Sequence, residues 1–216
     1  MTSKSAVIVN FPNDLYIREV ARGYGQYKIS SVFAAGELDH RGGEVLSGTV
    51  REYLGVPVDA YLYSPKAYTT AKNLFLSPGF FLETKTNLAL YDRIQLAMAV
   101  SGTRFDRVKT IDLNEFASSL LLADGSKALF LDSVEVDNIL SGFLTESRVL
   151  GENFRIEVAN STKKAGLGGR AVRLLSNIGL SVVNVESADT LIPNCKVSAE
   201  EDALKSLTVA RIAQIY

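Results

Sequence analysis

The sequence predicts an α/β protein in two parts, and three observations carry that prediction. A strand-type apolar run, Ala6 to Phe11, leads through a charged loop and a well-marked helix to another strand-like run, Val58 to Tyr63. A second strand–helix–strand pattern starts afresh at Phe154, after a polar connection from Thr145 to Asn153. The connection places the domain boundary, with residues 1–150 as the larger α/β domain and 151–216 as a smaller βαβ domain.

In the first unit the two apolar runs are expected as parallel strands of one sheet, because a parallel pair needs a crossover and the intervening helix supplies it. The charged loop then lies at the C-terminal edge of a strand, where open α/β sheets bind ligands. The crossover helix carries Val45, Leu46, Thr49, Val50, Tyr53 and Leu54 at helical spacing, with Gly55 placed as its C-cap and Pro57 just beyond. Gly42 and Gly43 stand at its start, either as a simple turn or as a seat where unpaired N–H groups meet an anion.

Between Ser64 and Thr86 the pattern is poorer and reads as a short helix and a turn at Ser77-Pro78-Gly79. Asn87 is then placed as the cap of a helix whose Leu90, Tyr91, Ile94, Ala97 and Met98 share one face, ending at Gly102. A strand follows from Val108 to Leu113, and Arg93, Arg104 and Arg107 around it read as solvated or paired with Asp92 and Asp106. Asp124-Gly125 between two apolar runs signals a hairpin. Asp132 and Glu135 have capping-box spacing before a helix that carries Ile139, Leu140, Phe143 and Leu144.

The second unit has a strand at Phe154–Val158, a helix lined by Leu167, Ala171, Leu174, Leu175 and Ile178, a Gly179 cap, and a strand at Leu180–Val185. Its turn, Lys163 to Arg170, is glycine-rich but matches neither dinucleotide nor P-loop spacing, so it reads first as a structural turn and second as a phosphate or glycan-phosphate contact. A strand around Cys195–Val197 and a helix from Ala203 to Tyr216 complete the chain.

Composition narrows the function classes. The 216 residues are 47% hydrophobic, enough for real cores, and the net charge of −1 supports no long-range attraction to nucleic acid or to anionic membranes. One Cys and one His exclude an internal disulfide and a zinc set of soft ligands. The N-terminal apolar run falls short of the roughly 7–15-residue core of a signal peptide. No stretch approaches the ~20 apolar residues of a membrane span, so the chain itself reads as soluble.

Two stretches together resemble the LytR-CpsA-Psr family of bacterial cell-envelope proteins. VNFPNDLYI, GYGQYKISSVFAAG and RGGEVLSGTVREYLGVPVDAYLY resemble the family's Pro-Arg-Asp turn, Gly-Tyr-Gly, Lys-Ile-Asn, glycine pair, helix and Gly-Val-Pro strand. RIEVANSTKKAGLGGRAVRLLSNIGLSVVNVESAD is similar to the small LytR C-terminal domain of many members. The resemblance implies an α-β-α sandwich that holds a polyprenyl-pyrophosphate glycan and transfers glycan phosphate to peptidoglycan. In the family, arginines, an acidic residue and magnesium stabilise the charge that develops on phosphoryl oxygens. It also implies extracytoplasmic, membrane-anchored relatives, with neither signal nor anchor in this chain.

Asp14 and Lys28 match the motif as catalytic positions, whereas the motif arginine is replaced by Asn13. Arg18, Arg22 and Arg41 lie in the charged loop outside motif positions, and Ser64–Thr86 offers Lys66, Lys72 and Lys85 but no arginine. The expectation is therefore a catalytically degenerate relative that binds envelope glycan or a polyprenyl-linked precursor, with no nucleic acid and no resident cofactor. The alternative is an active glycan phosphotransferase, using magnesium, with Asp14, Lys28, Asn13, Arg18, Arg22 and Arg41 around the phosphates and Gly42-Gly43 as the anion seat.

Overall fold

The computed structural model describes residues 7–64, 66, 68, 70–103, 108–140, 142–143 and 145–215, and shows a mixed α/β protein. Ala6, Arg104, Asp106, Arg107, Leu144 and Tyr216 of the sequence reading lie outside these residues. The chain divides into two compact units, one of residues 1–50 and 58–132, the other of Arg51–Pro57 and Ser133–Tyr216.

The first unit opens with β1 (Val7–Asn10), which pairs in parallel with β6 (Lys109–Asp112), Val9 opposite Ile111. This corrects the expected pairing with the Val58–Tyr63 run: there β4 (Leu62–Tyr63) is only two residues long and pairs antiparallel with β5 (Lys85–Thr86). Pro57 and the residues after it keep too little extended backbone for a full crossover strand, and Lys109–Asp112 supplies the parallel partner instead.

The charged loop is also more ordered than the sequence indicates. Its residues form a hairpin, β2 (Tyr16–Val20) and β3 (Gly25–Lys28), followed directly by helix α1 (Ile29–Glu37). β2 breaks the period-two pattern of a strand: it buries Ile17 and Val20 and exposes both Arg18 and Glu19 between them, where its register with β3 shifts. Beside the hairpin, β7 (Ser118–Leu121) and β8 (Lys127–Phe130) form the pair signalled by Asp124-Gly125, with Gly125 at φ 80° and Asp124 accepting from the Ser126 amide. Leu15 bridges to Leu129 in parallel, and Leu129 N donates to the Asp14 carbonyl at 3.0 Å, so the two hairpins are joined.

Helix α2 (Gly42–Leu54) follows the expected spacing, and Gly55 takes the left-handed conformation at φ 62° that ends it. Buried Thr49 donates to Val45 O and accepts from Ala21 N at 3.1 Å, tying α2 to the turn after β2. Helices α3 (Ala71–Phe75) and α4 (Pro78–Leu82) replace the predicted helix and turn, since Ser77 caps α4 and Pro78 occupies its first turn.

Helix α5 (Leu90–Ser101) departs from expectation at both the cap and the face. Ala89 is its N-cap, while the Asn87 side chain accepts from Tyr61 N at 2.9 Å. Leu90, Tyr91, Ile94 and Met98 are exposed, and Arg93, Leu96, Ala97 and Val100 form the half-buried side. Arg93 explains the rotation: its guanidinium bonds the carbonyls of Leu88 and Phe81, which anchors that side inward.

In the second unit, α6 (Ser133–Leu140) and α7 (Ser147–Glu152) precede β9 (Arg155–Asn160), α8 (Leu167–Asn177) and β10 (Ser181–Ser187). The strands β9 and β10 are parallel, as a βαβ unit requires. Leu174, Leu175, Ile178 and Leu180 form a core with Val149, Ile212 and Ile215, the last two from α9 (Leu207–Ile215). The expected strand at Cys195–Val197 is absent: these residues are irregular, Cys195 is exposed, and Val197 reaches the core by packing alone.

Candidate functional site

The predicted site residues separate into small groups on the first unit. Asn13 and Asp14 sit in the exposed turn between β1 and β2, closed by Leu15 N donating to Pro12 O at 3.0 Å. Lys28, at the end of β3, reaches back to Asp14 with Nζ 2.8 Å from Oδ1. The two motif residues are thus together, as an ion pair. Lys28 also acts on Asp124, whose carboxyl is held below the ordinary range first by the Ser126 hydroxyl and amide. On the same hairpin, the Tyr16 hydroxyl donates to Gln26 at 2.5 Å. Arg18 lies over the Phe130 ring, 4.0 Å from its centroid.

Arg22 and Arg41 are brought together by a residue the sequence reading passed over, Glu44. Its Oε2 lies 3.1 Å from Arg22 and 3.3 Å from Arg41. Arg22 itself has φ 63°, a conformation unusual for a residue with a Cβ. Next to it the Tyr24 hydroxyl donates to Asp39 at 2.5 Å, and that bond raises the phenol's pKa above its usual value. A signal for Glu44 was present: it is an acid in the first turn of a helix, three residues after Arg41.

The glycine pair is enclosed. Gly42 and Gly43 are both buried. A Cβ on Gly43 would fall 1.9 Å from Cζ of Tyr61, so the glycine is needed to let that ring lie on the backbone. The Gly42 N–H points to the Glu37 carboxylate, which also pairs with Lys85. Lys85 is the largest cause holding the Glu37 carboxyl below its ordinary range, and in turn Glu37 raises the pKa of Lys85. The helix start therefore already carries an internal anion, as the partial charge of a helix N-terminus favours. Nothing in the sequence linked Glu37 to Lys85, 48 positions away.

Magnesium is held by one or two carboxylates together with water and substrate phosphate, so the carboxylate that bears on it here is Asp14. Asp14 has a lysine on one carboxylate oxygen, and among the described residues no group of three or more His, Cys, Asp or Glu side chains stands close enough to hold a metal ion. The glycine-rich turn before α8 is held from within: Asn160 accepts from the Thr162 amide and hydroxyl and donates to Lys164 O at 2.9 Å.

No family model matches the chain, and no curated protein matches it. Among solved structures it is similar to the crystal structure of Bacillus subtilis TagV, with a TM-score of 0.43 and 12% identity over 61% of this chain and 79% of that one. It is also similar to a Bacillus subtilis protein described as the transcriptional regulator yvhJ, with a TM-score of 0.45 and 12% identity over 61% of this chain and 76% of that one. These are likenesses of shape at low identity, and no residue role is carried over from either.

No helix among the described residues is long and apolar enough to cross a membrane.

Proposed function

We propose that this chain is a LytR-CpsA-Psr-like cell-envelope protein that binds envelope glycan or a polyprenyl-linked precursor without transferring it, with residues 151–216 acting as a LytR C-terminal-type module. One observation carries the degenerate reading: the groups a pyrophosphate would need are engaged with internal carboxylates. Arg22 and Arg41 share Glu44, Lys28 holds Asp14, and the Gly42 amide faces Glu37. Asn13 stands where the family motif has its arginine. An anionic substrate would have to displace these partners, and each charge-assisted contact it failed to gain costs about 1.5–3 kcal/mol of transition-state binding.

Asp14, Lys28, Arg18, Arg22 and Arg41 then serve as surface residues of a binding region rather than as a phosphoryl-transfer centre. The test is transfer from a polyprenyl-pyrophosphate glycan to peptidoglycan with magnesium supplied, run beside a binding measurement on the same glycan. Binding without turnover is the expected result. Turnover that disappears in Asp14→Ala would establish the active phosphotransferase instead.

A further inference from the structure

Tyr61 and Tyr63 flank Leu62, and both rings settle where α1 gives way to α2. The Tyr61 ring lies against the Gly43 backbone. The Tyr63 ring stacks on Phe33 of α1, with centroids 3.9 Å apart and planes 2° from parallel. Phe33 is buried at 7% exposure, whereas Tyr63 keeps 38%. With one face taken by Phe33, the Tyr63 ring turns its other face outward. It is a flat apolar surface fixed in advance, which spares a ligand the cost of ordering it.

Polar groups gather beside this ring. Lys85 of β5 is the cross-strand partner of Tyr63, and its Nζ lies 5.8 Å from the centroid of the Phe33 ring beneath. Lys85 pairs with Glu37, and after that carboxylate the Tyr63 and Tyr61 phenols also bear on its charge. The Lys85 and Glu37 side chains are 61% and 30% exposed, so both reach solvent. An ammonium carries several donors and a carboxylate several acceptor positions, so the pair still has both to offer. A neutral pair of this kind is a poor seat for an anion, because the carboxylate offsets the ammonium. It suits hydroxyl groups, which accept from the one and donate to the other.

We infer, building on glycan binding as the function of this chain, that Tyr63, Lys85 and Glu37 seat one uncharged pyranose ring with equatorial hydroxyls. The axial C–H groups of such a ring make an apolar face that lies on the outer face of Tyr63, where the negative face of the π system attracts their partial positive charge. The Lys85 ammonium donates to one ring hydroxyl and a Glu37 oxygen accepts from its neighbour. An acidic sugar is repelled by Glu37, and a sugar with axial hydroxyls lacks the flat face.

Chitotetraose, an uncharged oligomer of all-equatorial rings, tests this on the full chain by calorimetry and by NMR of the sugar, with a soluble digest of bacterial cell-wall glycan as a second ligand. The parent should bind chitotetraose and move the axial protons of one ring face upfield through the ring current. Tyr63→Leu keeps Phe33 covered but has no ring. It should bind about three- to tenfold more weakly, the scale of one aromatic contact, and lose the shift. Tyr63→Phe, which keeps the ring face, should bind like the parent. Lys85→Met should weaken binding several-fold while the shift persists. A parent that binds the digest but not chitotetraose, or that binds chitotetraose no better than Tyr63→Leu does, overturns this seat and leaves glycan binding standing. A parent that binds neither ligand overturns both.

Discussion

The two ends of α2 use the same chemistry in different surroundings. At its start, Arg22 and Arg41 grip Glu44 with roughly half of each side chain in solvent, 49% for the arginines and 53% for the glutamate. Near its end, Arg173 grips Asp137 with 24% and 26% exposed, and the guanidinium spends its remaining donors on backbone carbonyls. An exposed pair is screened and worth about 0–1 kcal/mol, whereas a half-buried guanidinium that satisfies carbonyls cannot be removed without leaving them short of partners. Pairing of arginine with a carboxylate therefore gives a loose surface cluster at one end and a structural clasp at the other.

The largest expected effect breaks that contrast directly. Arg173→Ala should lower unfolding free energy by about 2–3 kcal/mol, less than for a fully buried pair because a quarter of the side chain meets water. A urea titration measures it, and a loss under about 1 kcal/mol would put the clasp in the same class as the surface cluster. Gly43→Ala should follow at about 1–3 kcal/mol, since its new methyl would meet the Tyr61 ring. Adding Tyr61→Ala should recover part of that loss, as residues in contact are not additive.

How much of this was readable beforehand depended on sequence distance. Helix α2, its Gly55 cap, the Asp124-Gly125 hairpin and the β9–α8–β10 unit all follow local rules of spacing and turn chemistry, and all are present. The partner of β1 was not legible because Lys109–Asp112 lies far along the chain, and the outward face of α5 was not legible because it goes with Arg93 bonding the Leu88 and Phe81 carbonyls, which spacing alone does not reveal. At the candidate site the pairing of Asp14 with Lys28 was within reach of the motif. The Glu37–Lys85 contact and the Tyr61 ring over Gly43 required chain folding to bring them there. The glycine pair was the instructive case. Its lack of side chains admits a neighbouring ring, and the amide beside it is taken by an internal carboxylate.

Acid titration sharpens the comparison at a finer scale. Glu152 is held below its ordinary pKa of 4.5 by its contacts with Thr208 first and then Leu207, whose amides it caps at 2.7 and 2.9 Å. A depressed carboxyl contributes fully above its unfolded value and loses that contribution as pH falls through the lower folded one. Melting temperature should therefore drop as pH is lowered below about 4.5. Glu37, depressed by Lys85, acts in the same direction. Glu152→Gln should melt lower than the parent at pH 7 and show a shallower acid limb, and parallel acid limbs would rule out this cap as a contributor.

The smallest effect on stability carries the most information about binding. Glu44→Gln removes only exposed ion pairs, so unfolding free energy should change by less than about 1 kcal/mol. The same change leaves Arg22 and Arg41 without their shared carboxylate, two guanidinium groups suited to a phosphate oxygen. If internal pairing is what keeps pyrophosphate out, inorganic pyrophosphate should bind Glu44→Gln several-fold more tightly than the parent by calorimetry, with the gain shrinking at high salt. Arg22→Ala in the Glu44→Gln background should abolish the gain. Equal affinity in parent and variant would mean that the carboxylate does not guard these arginines, and the case for degeneracy would then rest on Asn13 and the enclosed glycine pair.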